Sequence, residues 1–183
     1  MKTMPKVSLN QPSIENLIKS YSRYHYWANK ILIDWIREES VCESQQLHSV
    51  SFSEVDLGLR TVLHSQEFWL RIIKNEQCNR VDPPENSIIE AYDELPFYEL
   101  MDGVVSISLQ FSNYVSALNQ NDLERKLHLK SPWFESFQRR FELILHVVNH
   151  AAFHRGQISS MGRSLGYNNV PMMDYNYFML NVN

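Results

Sequence analysis

The chain is poor in cysteine, glycine and basic charge, and it has no long hydrophobic run. Two cysteines among 183 residues, Cys42 and Cys78, give neither a disulfide framework nor a CxxC site. They read as free thiols in a reducing cytoplasm. Only five glycines occur, and long stretches carry neither Gly nor Pro. That disfavours a turn-rich β architecture and favours helices. The 17 Lys and Arg are outnumbered by 21 Asp and Glu, for a net charge of −4, and basic residues cluster only briefly, as at Arg139-Arg140. A basic face for nucleic acid is therefore not expected. No segment approaches the roughly 18 apolar residues of a membrane span, and MKTMPKVSLNQPS lacks the apolar centre of a secretory signal. The length fits one domain over residues 1–183, with its core at about 13–180.

What is present is helical periodicity. From Ser13 to Glu38, the residues Ile14, Ile18, Tyr21, His25, Ala28, Leu32 and Trp35 recur every three or four positions, the stripe of a bundle helix. Ser51-Phe-Ser-Glu54 has the pattern of a capping box opening a second helix to about Lys74. That helix has two apolar faces, one through Val55, Leu59, Val62, Gln66, Trp69 and Ile73. The other runs through Leu57, Thr61, His64, Phe68 and Ile72. Pro83-Pro84 marks a loop, and residues 87–92 could form a turn or two of helix. A third long helix is expected from about Pro96 to Leu118. Residues 119–135 are less regular, with alternation at Leu127 and Leu129 allowing a short extended piece. Ser131-Pro132 is a plausible start for a fourth helix ending near Leu165, before Gly166. Residues 171–180 read as a short terminal helix. The expected fold is all-α, a four-helix bundle, with connections long enough to permit a crossover.

The chemistry concentrates in HVVNHAAFHRGQ, residues 146–157. At about 100° per residue, Leu143, Val147, His150, His154, Ile158, Met161 and Leu165 share a stripe, and His146 lies about 90° from its middle. His150 and His154 are thus expected to face inward and His146 the edge. Buried imidazoles need partners for a donor and an acceptor. A shared cation satisfies two rings at i, i+4, with each outer N–H free for a supporting acceptor. Exposed HxxxH pairs without metal are common, so spacing alone leaves the matter open. His64 is the best candidate for a third ligand, although a lone helical His is more often a core residue bonded to a carbonyl or hydroxyl. His25, between Tyr21 and Ala28, could support the site, whereas His48 and His128 fall in expected loops.

TVLHSQEFW (61–69), HVVNHAAFHRGQ (146–157), YHYWANKIL (24–32) and the ending SLGYNNVPMMDYNYF together resemble the DinB-like superfamily. This group of damage-inducible and YfiT-type proteins is expected to act as metalloenzymes. The resemblance spans nearly the whole chain, and NHxxxHRGQ is its most specific element. It implies up-down-down-up connectivity, a homodimer, and a metal site formed by His64, His150 and His154. It also implies a divalent ion, zinc or nickel foremost, and S-transferase or isomerase chemistry using a low-molecular-weight thiol. No motif transfers for the substrate.

Three neutral ligands leave an open position, where a cation could acidify a thiol or a water. The main expectation is thiol transfer to an electrophilic small molecule. The alternatives are hydrolysis, weakened by the lack of an adjacent Glu as in HExxH, and a non-catalytic metal-binding bundle. Arg155 could anchor a substrate carboxylate, but it points about 100° from His154, and a salt bridge to a neighbouring helix or subunit explains it better. Gln157 and His146 are expected to support the ligands. Gly156 suggests close approach of another helix. Tyr21, Tyr24, Trp27 and Trp35 read as core, and Asp174 as either an acid/base group or a helix cap.

Overall fold

The structure, a computed structural model, describes residues 13–41, 50–74, 95–130 and 135–182. Its long helices are α1 (Ile14–Val41), α2 (Val50–Lys74), α3 (Phe97–Ala117) and α5 (Arg140–Ser164). Between α3 and α5 come the short α4 (Gln120–Glu124) and the strands β1 (Lys126–Lys130) and β2 (Glu135–Arg139). The helix α6 (Tyr175–Asn181) closes the chain. The cap expected at Ser51 involves a side chain outside the description, and Cys42, Cys78, His48, Pro83-Pro84 and residues 87–92 lie outside the described residues.

The four long helices form a ring in the order α1, α3, α2, α5. Their directions follow from cross-helix contacts. Arg37 meets Asp102 while Asn29 meets Ser108, so α1 and α3 run antiparallel. Gln66 bonds Ser108 and Tyr114 bonds the Ile73 carbonyl, so α2 and α3 run parallel. Ser65 meets His150 while Arg140 reaches the Ile73 carbonyl, so α2 and α5 run antiparallel. The bundle is therefore up-down-down-up, with α1 and α2 on a diagonal. Its core is filled by Ile18, Leu32, Ile33, Leu59, Leu100, Phe111, Val148 and Ile158 among others. Each such side chain, fully buried, contributes about 1.5–3 kcal/mol.

Close helix approach is set by two glycines. A Cβ on Gly58 would lie 2.8 Å from Ile158 Cγ1, and one on Gly162 only 2.5 Å from Trp35 Cη2. Helix α5 ends where Gly166 adopts φ 91°, a left-handed conformation that glycine tolerates.

The fourth long helix starts at Arg140, later than the expected Ser131-Pro132. Residues 135–139 instead pair antiparallel with β1, Leu127 opposite Gln138 and Leu129 opposite Ser136. Leu127 and Leu129 are buried on one face of this hairpin, which is why alternation outweighs helix propensity there. Helix α4 was not foreseen. Asn119 and Asp122 close a capping box that defines it. Leu57, assigned to a second apolar face of α2, is 61% exposed.

Candidate functional site

Helix α5 presents a different face to the core from the one expected. Its buried positions are Leu143, Ile144, Val147, Val148, Ala151, Arg155, Ile158, Ser159 and Gly162, with Arg140 at the first turn. Their centre lies roughly 60° round from the stripe drawn through His150 and His154, at 100° per residue. The two histidines are half-buried at the flank of the core, facing α2, and His146 is exposed. The displacement has a physical cause. Arg155 occupies the inward centre because Asn29 and Tyr24 await its guanidinium there, and Ser159 beside it satisfies its hydroxyl on the Arg155 carbonyl, so apolar character alone misplaced the centre.

At that flank the two rings converge. His154 Nε2 lies 3.3 Å from His150 Nε2, with ring centroids 4.5 Å apart and planes at 63°. Ser65 Oγ sits 3.1 Å from His150 Nδ1, on the outer side of that ring. Gln157 hydrogen-bonds His154, and this works against the depression of its pKa by burial. Burial also lowers His150 to about 4, helped by the charges of His154 and His146. Both rings are thus neutral at pH 7, with lone pairs to give. His146 packs edge-on against Trp69 at 4.7 Å and 5.8 Å from His150, and burial lowers its pKa too.

His64 is buried at 8% exposure, one residue before Ser65, on the turn of α2 that meets His150. Among the described residues, however, no group of three or more His, Cys, Asp or Glu side chains is gathered as a metal cage. The structure brings together two of the three expected ligands and places the third on the facing helix.

The pair passes one test of fit. Two imidazole nitrogens on one tetrahedral zinc, each at about 2.0–2.1 Å, stand about 3.3–3.4 Å apart. The Nε2 atoms already have that spacing. With Nε2 turned to an ion, His150 Nδ1–H would donate to Ser65 Oγ, the arrangement that fixes a ligand tautomer. Ser65 was missed in the sequence. Its only signal was its place, four residues before Trp69 and next to His64.

The other residues singled out sort clearly. Arg155 is 2% exposed, and its partners are not acidic. Nη1 donates to Asn29 Oδ1 at 2.8 Å and Nη2 to Tyr24 Oη at 3.1 Å, with the guanidinium 5.4 Å from the Tyr24 ring centroid. The expected salt bridge is replaced by an amide and a phenol of α1. Asn29 Nδ2 donates to Ser108 Oγ at 2.8 Å, which donates to Gln66 Oε1 at 2.9 Å. His25 Nε2–H completes the chain by donating to Gln66 Oε1 at 2.7 Å. A polar layer thus crosses all four long helices, and His25 belongs to it.

Gly156 meets nothing within 4 Å of a would-be Cβ, so the expected close approach falls instead at Gly58 and Gly162. Asp174 is a cap, its Oδ1 accepting from the Tyr177 N–H at 2.8 Å. Tyr24 and Trp35 are buried, while Tyr21, Tyr24 and Trp27 pack against Tyr175, Tyr177 and Phe178 of the α6 region. No helix among the described residues is long and apolar enough to cross a membrane.

Comparison with known proteins adds a family. A family model described as "DinB family" matches residues 11–181. The chain is 26% identical over 159 residues to Protein DinB of Bacillus subtilis (strain 168), covering 85% of this chain and 90% of that protein. No solved structure matches the chain significantly.

Proposed function

The chain belongs to the DinB family, and from that premise we propose that it is a metal-dependent enzyme. In this reading it transfers a low-molecular-weight thiol to an electrophilic small molecule. The observation that carries the proposal is the pair of imidazoles whose Nε2 atoms face each other at 3.3 Å beside α2. His150 and His154 would hold the ion, and His64 would complete the set. A zinc or nickel ion bound there supplies positive charge that favours a thiolate at neutral pH.

The chain's own groups have definable tasks. Ser65 fixes the outer nitrogen of His150, and Gln157 steadies His154. Trp69 and His146 form one wall beside the pair, and the exposed ring of Phe153 stands next to His154 at 5.3 Å. These rings would seat an apolar part of the electrophile and keep water from it. Among the described residues, Ser65, His146 and Gln157 act on the two ligand rings.

The test is elemental analysis and conjugation assay on protein purified without a nickel column. About one equivalent of metal should be found, and it should be lost from His64→Ala, His150→Ala and His154→Ala. Metal-dependent conjugation of a bimane electrophile to bacillithiol, glutathione or mycothiol is expected. Metal retained by all three variants refutes the site. Metal bound but no turnover with any thiol refutes the transferase and leaves hydrolysis or a non-catalytic bundle, which an ester panel and thermal stability under chelation separate.

A further inference from the structure

The most unusual group outside the histidine pair is the guanidinium of Arg155. It is nearly inaccessible, and the charged or polar groups acting on it among the described residues are Tyr24, Tyr21, Asn29 and His25. A buried cation without a carboxylate is costly, and an apolar side chain of similar length is commonly at least as stable. Stability is therefore a poor reason for an arginine here.

Its placement supplies another. Around it the inward face of α5 combines the small Ala151, Ser159 and Gly162 with the apolar Val148 and Ile158. Those contacts are steric and carry no hydrogen bond to α1. Arg155 is the one long polar side chain at the centre of that face, and its hydrogen bonds to Asn29 and Tyr24 both go to α1. Tyr24 is itself pinned, since its hydroxyl donates to the Met173 carbonyl at 2.9 Å. Asn29 is pinned through Ser108 and Gln66 to α3 and α2. The fork thus ties the rotation of α5 to the whole bundle. A rotation of 10° moves an atom at the side-chain radius of about 5–6 Å by roughly 1 Å. Ligand distances tolerate only about 0.2 Å. His154 is the preceding residue, so its ring and that of His150 turn rigidly with Arg155.

We propose that Arg155 is a positioning residue whose bonds to Asn29 and Tyr24 set the rotation of α5 and thereby aim His150 and His154 at a common ion. This rests on the metal reading above. The experiment is titration of the metal-free full-length protein with Co(II), followed by its visible absorption and by thermal unfolding. Wild type should bind, and His150→Ala should not; equal binding by both refutes the metal reading itself.

Given that contrast, Arg155→Met should weaken Co(II) affinity by about 10-fold to 100-fold and alter the absorption at saturation, with an apo melting temperature no lower than wild type. Arg155→Lys should recover only part of the affinity, because an ammonium cannot span both acceptors. Tyr24→Phe removes one acceptor and should cost roughly threefold, the worth of part of one hydrogen bond; it carries the test should Arg155→Met fail to fold. Wild-type affinity and spectrum in Arg155→Met, or in Tyr24→Phe if that variant alone folds, overturn the proposal. Lowered stability with an unchanged spectrum does so as well, since it marks a purely structural arginine.

Discussion

Lowering the pH from 7 to 5 should remove about 2 kcal/mol of stability through one side chain, His25. The ring is 0% exposed in the bundle core, with Phe111 edge-on at 5.2 Å and Gln66 accepting from Nε2. Burial, reinforced by the nearby Arg155 charge and opposed by the Gln66 bond, lowers its pKa to about 3. In the unfolded chain the value is about 6.5. Below pH 6.5 the unfolded state therefore takes up a proton that the folded state refuses. Stability falls by about 1.4 kcal/mol per pH unit until the pH reaches the folded value. The contribution is present above pH 6.5 and is lost downward through pH 3. Between pH 7 and 5 the loss is about 2 kcal/mol for any folded value below about 4. Urea unfolding in chelator, at half-unit steps from pH 7.5 to 5, measures it. His25→Gln should be less stable at pH 7 but should show a slope shallower by about one proton. Parallel pH profiles for wild type and variant would show that His25 titrates normally, and the reading of His25 as a ring held neutral by burial would fail.

Three further outcomes follow from packing and capping, and a fourth from the histidine pair. Gly162→Ala drives a methyl into the indole of Trp35 and should cost about 1–3 kcal/mol. Gly156→Ala adds a methyl in open space on the same helix and should gain about 1 kcal/mol, seen as a rise of about 2–4 °C in melting temperature. Asp174→Ala removes the cap of α6 and should cost about 1 kcal/mol, with faster amide exchange at Tyr177 as the local sign. Gln157→Ala should leave folding intact while lowering affinity for the proposed metal about 10-fold, read by the same cobalt titration.

The long helices were legible because each buries a continuous stripe, and a stripe repeats at a spacing that any sequence displays. Helix α3 runs from Phe97 to Ala117, within a residue of the limits read from its pattern. The extension of helix four back to Ser131 failed because β2 is defined by its pairing with β1, a partner that periodicity within one segment does not reveal. The HxxxH pair was legible as a pair, since i, i+4 rings on any helix are neighbours. Its depth was not, because the wheel was centred on apolar residues while the true centre holds Arg155 and Ser159.

The sequence by itself determined the helical bundle, its family and the neighbourhood of His150 and His154, because these depend on local spacing and on motifs carried in order. Only the tertiary structure decided which way α5 faces, and that Asn29 and Tyr24 rather than a carboxylate receive Arg155. It alone also showed that Ser65 meets His150 and that close packing falls at Gly58 and Gly162. Those facts depend on partners far apart in the chain, and the rotation of a helix is chosen by the polar and steric demands of its neighbours, not by its own hydrophobicity.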